Sequence, residues 1–310
     1  MKRVALLFPG QGSQYVGMGE SLLAAGAEGK ALLQLAERQS GLPLHRLCRQ
    51  GPLEELTETV NLQPALTLVS LAAWQALQKA GVIPYATAGH SLGEYAALAA
   101  CGCLSVEKVL ELVSLRGRIM HEQALANPGT MAAVMGLSAG EVKALCAQVE
   151  EVVQPANYNT PQQTVITGTW EGVAAAGRLI KERKGKIVPL KVSGPWHSPL
   201  MRGAEEKMAA VIDKLEFAPP HCLQAPNAGG RLSADPLFIK EELKKQITSP
   251  VHWLQTIENM LNEGVEIFIE AGPKNILSGM VKKIVPEGRA EIYNVEDTDT
   301  LQVAMRGLDA

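Results

Sequence analysis

The sequence lacks an apolar run of the roughly 20 residues that a membrane-crossing helix needs. It also lacks charge of one sign: 29 Lys and Arg against 32 Asp and Glu leave a net charge of −3. A nucleic-acid binder would be expected to carry a basic footprint, and none is present. The first apolar run, from Val4, is stopped by Pro9-Gly10-Gln11-Gly12. That is too short for a signal-peptide core and reads as a first strand, so a cytoplasmic protein without membrane or nucleic-acid partners is expected. Zinc-type cysteine spacing is missing too. The five cysteines are Cys48, Cys101, Cys103, Cys146 and Cys222, and only Cys101 and Cys103 lie close, too tightly spaced for a zinc knuckle. Reduced, buried thiols are the expectation. The six histidines form neither HExxH nor an i, i+4 pair, so no metal site is expected. Internal repeats and low-complexity tracts are absent.

What is present is a chain of 310 residues with 46% hydrophobic composition, enough to bury a large core. Amphipathic segments lie near 19–38 and 52–60. Pro64 suits a first helical turn, apolar residues from Leu66 to Leu77 recur at helical spacing, and Gly81 supplies a stop. A short strand is predicted over about 85–88, then a helix over 94–100 and another over about 106–124. Residues 130–192 change rhythm and read as strand 131–135, helix 139–149, strand 152–155, strand 164–167, helix 170–183 and strand 187–191. That β-α-β-β-α-β order is the ferredoxin-like pattern. Alternating strands and helices on either side end with a strand at 266–269 and a helix at 275–284. The expected architecture is α/β, with a large discontinuous domain from 1–127 and 193–310 and a small α+β subdomain at 128–192.

Gly89-His90-Ser91-Leu92-Gly93 matches G-x-S-x-G, the nucleophile elbow, between an apolar strand and an Ala-rich helix. Glycines at both ends remove the Cβ atoms that would collide across so tight a turn, which leaves the Ser91 hydroxyl above a helix N-terminus. A serine hydroxyl needs a base. His90 is adjacent but would point away on a tight turn. His197 follows the last strand of the insert in the Gly/Pro loop Gly194-Pro195-Trp196-His197-Ser198-Pro199, which can return to the elbow. Position alone leaves both histidines open.

Three stretches occur in order: Pro9-Gly10-Gln11-Gly12-Ser13-Gln14, Gly89-His90-Ser91-Leu92-Gly93-Glu94, and Gly194-Pro195-Trp196-His197-Ser198-Pro199. With Gln63-Pro64-Ala65, Leu115-Arg116-Gly117, the segment from Ala156 to Pro161, Pro250-Val251-His252-Trp253 and Glu270-Ala271-Gly272-Pro273, the sequence resembles the malonyl-CoA:acyl carrier protein transacylase family up to about residue 285. The resemblance implies a hydrolase-like parallel-sheet domain with a ferredoxin-like insert and an active site between them. It implies Ser91 as nucleophile, His197 as base and Gln246 as the residue whose backbone carbonyl orients His197. The N–H groups of Gln11 and Leu92 would form the oxyanion hole, and Arg116 would bind the malonyl carboxylate, a group that a guanidinium grips through two parallel hydrogen bonds. Arg118 would face solvent. Malonyl-CoA and acyl carrier protein are the implied partners, with no cofactor.

The sequence departs from the family in two places near the site. Trp196 stands where phenylalanine is common, beside His197, and would line the acyl pocket. Gly272-Pro273-Lys274 replaces a Gly-Pro-Gly. Three other functions share these residues: an acyl hydrolase clearing carrier proteins, a discrete acyltransferase of a polyketide synthase, and an inactive docking subunit.

Overall fold

The computed structural model describes residues 2–308. Its large sheet is parallel throughout, built from β1 (Val4–Phe8), β2 (Ala86–Gly89), β7 (Leu223–Ala225), β8 (Ile267–Ala271) and β9 (Glu291–Val295), in the order β7-β2-β1-β8-β9. β1 lies at the centre, and its side chains divide between two cores. Val4, Leu6 and Phe8 join the larger cluster, whereas Ala5 and Leu7 face Ala86, Ala88, Trp253 and Ile257 on the other side. A strand buried on both faces must be apolar at every position, and Val-Ala-Leu-Leu-Phe is.

The small sheet comprises β3 (Thr130–Met135), β4 (Val153–Thr160), β5 (Gln163–Gly168) and β6 (Lys186–Pro189), antiparallel, in the order β4-β5-β3-β6. This is the ferredoxin-like order that the β-α-β-β-α-β reading requires. The helices Ala139–Cys146 and Trp170–Glu182 cover one face, where Val134 and Ile166 meet Val142, Val173 and Ile180. Ser138 opens the first with a capping box to Glu141.

Several expected boundaries move. Pro64 is not in a first turn: the helix runs Thr59–Lys79, with Pro64 inside it. The N–H groups of Asn61 and Leu62 already close onto Glu58 O, and Asn61 Nδ2 donates to Glu55 O. The proline removes one intrahelical bond at a buried face that packing sustains. β4 runs five residues beyond 155, to Thr160, because two irregularities in its register against β5 hide the period-two pattern. The chain also continues past the helix Ile276–Ile284 into β9 and the helix Thr298–Leu308. β9 is an edge strand, half-buried and polar at Glu291 and Asn294, so it lacks the signature of its neighbours.

Four of the five thiols are buried and Cys222 is partly exposed; all are free. Among the described residues no helix is long and apolar enough to cross a membrane.

Candidate active site

In a parallel sheet all strands point the same way, so the loops after β1, β2, β7 and β8 leave from one edge. This is where open α/β sheets bind ligands. The loops bring Gln11, Ser91, Asn227 and Lys274 to that edge.

Ser91 follows β2 at φ 51, in the left-handed region that a non-glycine residue enters only at a cost. Its turn is walled by backbone: a Cβ on Gly89 would run into the Gly93 carbonyl, and one on Gly93 into Phe8 O. This is the steric reason for both glycines of the motif. The helix Gly93–Ala100 starts directly after, so Ser91 sits over its N-terminus.

His197 comes from the loop after β6 and is only 2% exposed. Its Nε2 lies 2.8 Å from Ser91 Oγ, and its Nδ1 lies 3.0 Å from Gln246 O and 2.9 Å from Ser249 O. Carbonyls only accept, so these two assign the ring proton to Nδ1 and leave an acceptor lone pair on Nε2 toward the serine. Among the described residues no carboxylate bonds to this imidazole. Burial, then the charge of Arg116, lowers its pKa from the usual 6.5 to about 3, so the ring is a neutral base at physiological pH. Gln154, on β4, donates to His197 O at 2.8 Å and links the small sheet to the histidine loop.

His90 turns away from Ser91, as the tight turn predicts. Its Nε2 meets Asn159 Oδ1 at 2.9 Å, and its ring stands edge-on to Trp253.

Arg116, on the helix Val106–Ala126, is 1% exposed, whereas Arg118 faces solvent. Arg116 Nη1 donates to Gln63 Oε1 and Nη2 to Gln246 Oε1, both at 3.0 Å. Tyr95 presents its ring 5.5 Å from the guanidinium carbon, and Nε has no partner. Burial lowers the pKa of Arg116 while nearby Glu94 supports its charge. No ion pair neutralises it among the described residues.

Gln246 therefore acts at two levels. Its main-chain carbonyl meets His197, and its side-chain Nε2 donates to Ser91 O and to Glu94 Oε2, each at 2.8 Å. Glu94 is fully buried, and desolvation pushes its carboxyl up to about 7 against the opposing pull of the Gln246 and Asn227 bonds.

Of the donors expected for an oxyanion, Leu92 N–H and Gln11 N–H make no hydrogen bond among the described residues. The Gln11 loop is braced by Ser13 Oγ to Gly10 O and Gly12 N to Gln14 Oε1. Lys274 borders it at φ 63, with its ammonium 3.4 Å from Gly12 O. Trp196 is 5% exposed in the larger core, and the missing side chain of Gly194 lets its ring edge and the Ala124 methyl close on the backbone.

Sequence reasoning assigned no role to Asn227, Glu94, Gln63 or Ser249. Glu94 and Gln63 lay within quoted motifs; Asn227 sits in Pro226-Asn227-Ala228-Gly229-Gly230, which reads as an ordinary turn. No group of three or more His, Cys, Asp and Glu among the described residues could hold a metal ion.

Residues 5–304 match the family described as Acyl transferase domain. The malonyl CoA-acyl carrier protein transacylase of Bacillus subtilis (strain 168) is 41% identical over 99% of this chain and 98% of that protein. The malonyl CoA-acyl carrier protein transacylase structure from Coxiella burnetii superposes with a TM-score of 0.94 at 34% identity, covering 100% of this chain and 98% of that one. A malonyl-transacylase solved in complex with its type II polyketide synthase acyl-carrier protein gives a TM-score of 0.93 at 36% identity, covering 98% and 99%. With this likeness along its whole length, the chain belongs to the malonyl-CoA:acyl carrier protein transacylase family.

Proposed function

We propose that this chain transfers malonyl from malonyl-CoA to the phosphopantetheine thiol of acyl carrier protein, for fatty acid synthesis in the cytoplasm, through an ester on Ser91. His197 Nε2 takes the hydroxyl proton as Ser91 Oγ attacks the thioester carbonyl. The oxyanion collects the free N–H groups of Leu92 and Gln11, and such preorganised donors are each worth about 3 kcal/mol in comparable sites. The C–S bond then breaks, His197 returns the proton to the departing CoA thiol, and malonyl remains on Ser91. The carrier thiol runs the sequence in reverse. Every proton moves between the chain and the two thiols, so no cofactor is needed.

The observation that carries this reading is that a buried Arg116, with no carboxylate in ion-pair contact among the described residues, is joined by one side chain, Gln246, to a serine 2.8 Å from a neutral imidazole. A cation in that place suits an acyl group with a free carboxylate, whereas uncharged acyl chains would leave it buried and unpaired at large cost. Arg116 would grip the malonyl carboxylate, and Trp196 would wall the acyl pocket beyond the helix face that carries Arg116. The parts at 1–127 with 193–310 and at 128–192 are read as large domain and inserted subdomain, with the acyl group held between them.

Intact-protein mass spectrometry after mixing with malonyl-, acetyl- or methylmalonyl-CoA tests covalency and selectivity together. One malonyl adduct on the wild type and none on Ser91→Ala is expected; an adduct on Ser91→Ala would sink the assignment.

A further inference from the structure

The elbow poses a physical question that its own sequence does not answer. Ser91 is held at φ 51, and left-handed backbone in a non-glycine residue is strained and persists only where its surroundings over-determine it. The glycines at 89 and 93 permit the turn but impose nothing on it. Something else must hold Ser91 there.

The holding group arrives from the next strand. β7 pairs with β2 and ends at Ala225, two residues before Asn227. The Asn227 carboxamide lies across the mouth of the elbow: its Oδ1 accepts the Ser91 N–H and its Nδ2 donates to Gly89 O, both at 2.6 Å. The carboxamide is itself fixed. Asn227 N donates to Glu94 Oε2 at 3.2 Å, and Asn227 O accepts from His252 N at 2.9 Å. All four polar atoms of this residue are thus engaged, at 3% exposure. One acceptor and one donor side by side are what a carboxamide offers; aspartate lacks the donor and leucine has neither.

Two consequences follow for the chemistry. Ser91 N–H is occupied, so it cannot serve the oxyanion, and the unpartnered N–H of Leu92 next along the turn can. With Gln246 Nε2 on Ser91 O, both backbone polar groups of Ser91 are tied to side chains, which fixes the Cα–Cβ direction that sets Oγ 2.8 Å from His197 Nε2.

We propose that Asn227 is a positioning residue for acyl transfer, bridging Gly89 O and Ser91 N–H so that Ser91 is held in its reactive backbone conformation. This rests on the reading of Ser91 as nucleophile, and it is independent of which acyl group is carried.

The test compares wild type, Asn227→Ala and Asn227→Asp by single-turnover loading from malonyl-CoA and acetyl-CoA, by the rate of Ser91 labelling with a fluorophosphonate, and by equilibrium binding of CoA. A displacement of about 1 Å at a reacting centre costs roughly 10²-fold. Asn227→Ala is expected to lower both loading rates and probe labelling by about that factor, with the malonyl-to-acetyl ratio and CoA affinity within about twofold of wild type on that scale. Asn227→Asp, which keeps the acceptor, should lie between. If Asn227→Ala does not fold by circular dichroism, the aspartate variant carries the test through the same readouts. A lowered melting temperature with unchanged labelling and loading would overturn the proposal by making Asn227 merely structural. So would loss of malonyl loading alone. A wild type that reacts with the fluorophosphonate in an Asn227-dependent way yet takes no malonyl would overturn the proposed substrate and leave this inference standing.

Discussion

Arg116 and Ser91 are joined through one carboxamide: Arg116 Nη2 donates to Gln246 Oε1 at 3.0 Å, and Gln246 Nε2 donates to Ser91 O at 2.8 Å. The group that would read the substrate carboxylate and the group that would carry the acyl chain are therefore held in one frame. Such a frame suits a small, rigid acyl group anchored at both ends.

Replacing Arg116 should separate binding of the acid from the chemistry. Arg116→Ala is expected to lower kcat/KM for malonyl-CoA by removing a charge-assisted bidentate contact, while acetyl-CoA falls far less or improves. Arg116→Lys should restore only part of the loss, since an ammonium has no planar fork. Steady-state kinetics with both thioesters measures this. A parallel fall in the two would remove Arg116 from the acyl pocket.

The two histidines near the elbow should differ in kind. His197→Ala is expected to lose about 10²–10⁴-fold in turnover while keeping its fold, the usual worth of a general base. His90→Ala loses an Asn159 bond and an edge contact with Trp253, so its effect should be smaller. Because burial holds His197 near 3, acetyl loading should show no inflection at the ordinary histidine value of 6.5. A larger loss in His90→Ala would reassign the base.

Glu94 supplies a pH dependence of definite sign. Its carboxyl is pushed up to about 7 by burial, so it is neutral below that value and ionised above. An anion beside Arg116 opposes a second carboxylate, so KM for malonyl-CoA should rise as pH climbs through about 7. KM for acetyl-CoA, which carries the same CoA phosphates, should stay flat, and Glu94→Gln should abolish the difference. The same residue makes a stability statement. The folded state binds the proton more tightly than the unfolded chain, so this contribution is full below about 4.5 and is lost as pH rises through about 7. His197 runs the other way, its contribution fading as pH falls from 6.5 toward 3. Denaturant melts of wild type and Glu94→Gln across this range would separate the two, and identical pH slopes would refute the assignment to Glu94.

What could be read from sequence follows from how each residue works. Ser91 was legible because its turn demands glycine at 89 and 93, a steric need written in residue type. Ser249, by contrast, meets His197 through its main-chain carbonyl, a group every residue owns, and nothing in its side chain marks it. Gln11, Leu92 and the carbonyl of Gln246 are of the same kind, and only likeness to a family could point to them. Asn227 contributes by side chain, yet its partners are the backbone of residues more than 130 positions away, so its meaning exists only after β7 pairs with β2. The fold divides similarly. β1 and β2 showed themselves as buried apolar runs, whereas β7 has three residues and β9 is a half-buried edge.

Trp196 offers the last discriminating experiment. Its ring edge and the Ala124 methyl both close on Gly194, and Ala124 lies two turns along the helix Val106–Ala126 from Arg116, on the same face. A side chain this bulky, next to His197, could fill the space that an α-methyl branch on the substrate would require. Trp196→Ala or Trp196→Ser should then raise the methylmalonyl-to-malonyl ratio by about 10–200-fold at most, the range that one methyl in a shaped pocket commands. Removing the ring from the core will also cost about 3–5 kcal/mol, so absolute rates can fall for both thioesters. Trp196→Phe separates the two effects. It keeps most of the bulk and deletes an indole N–H that has no partner, so neither selectivity nor stability should suffer greatly. Competition of the two thioesters for a limiting amount of carrier protein reads the ratio directly. If Trp196→Ala loses stability while the ratio stays at its wild-type value, Trp196 fills the core and the acyl pocket is walled by other residues.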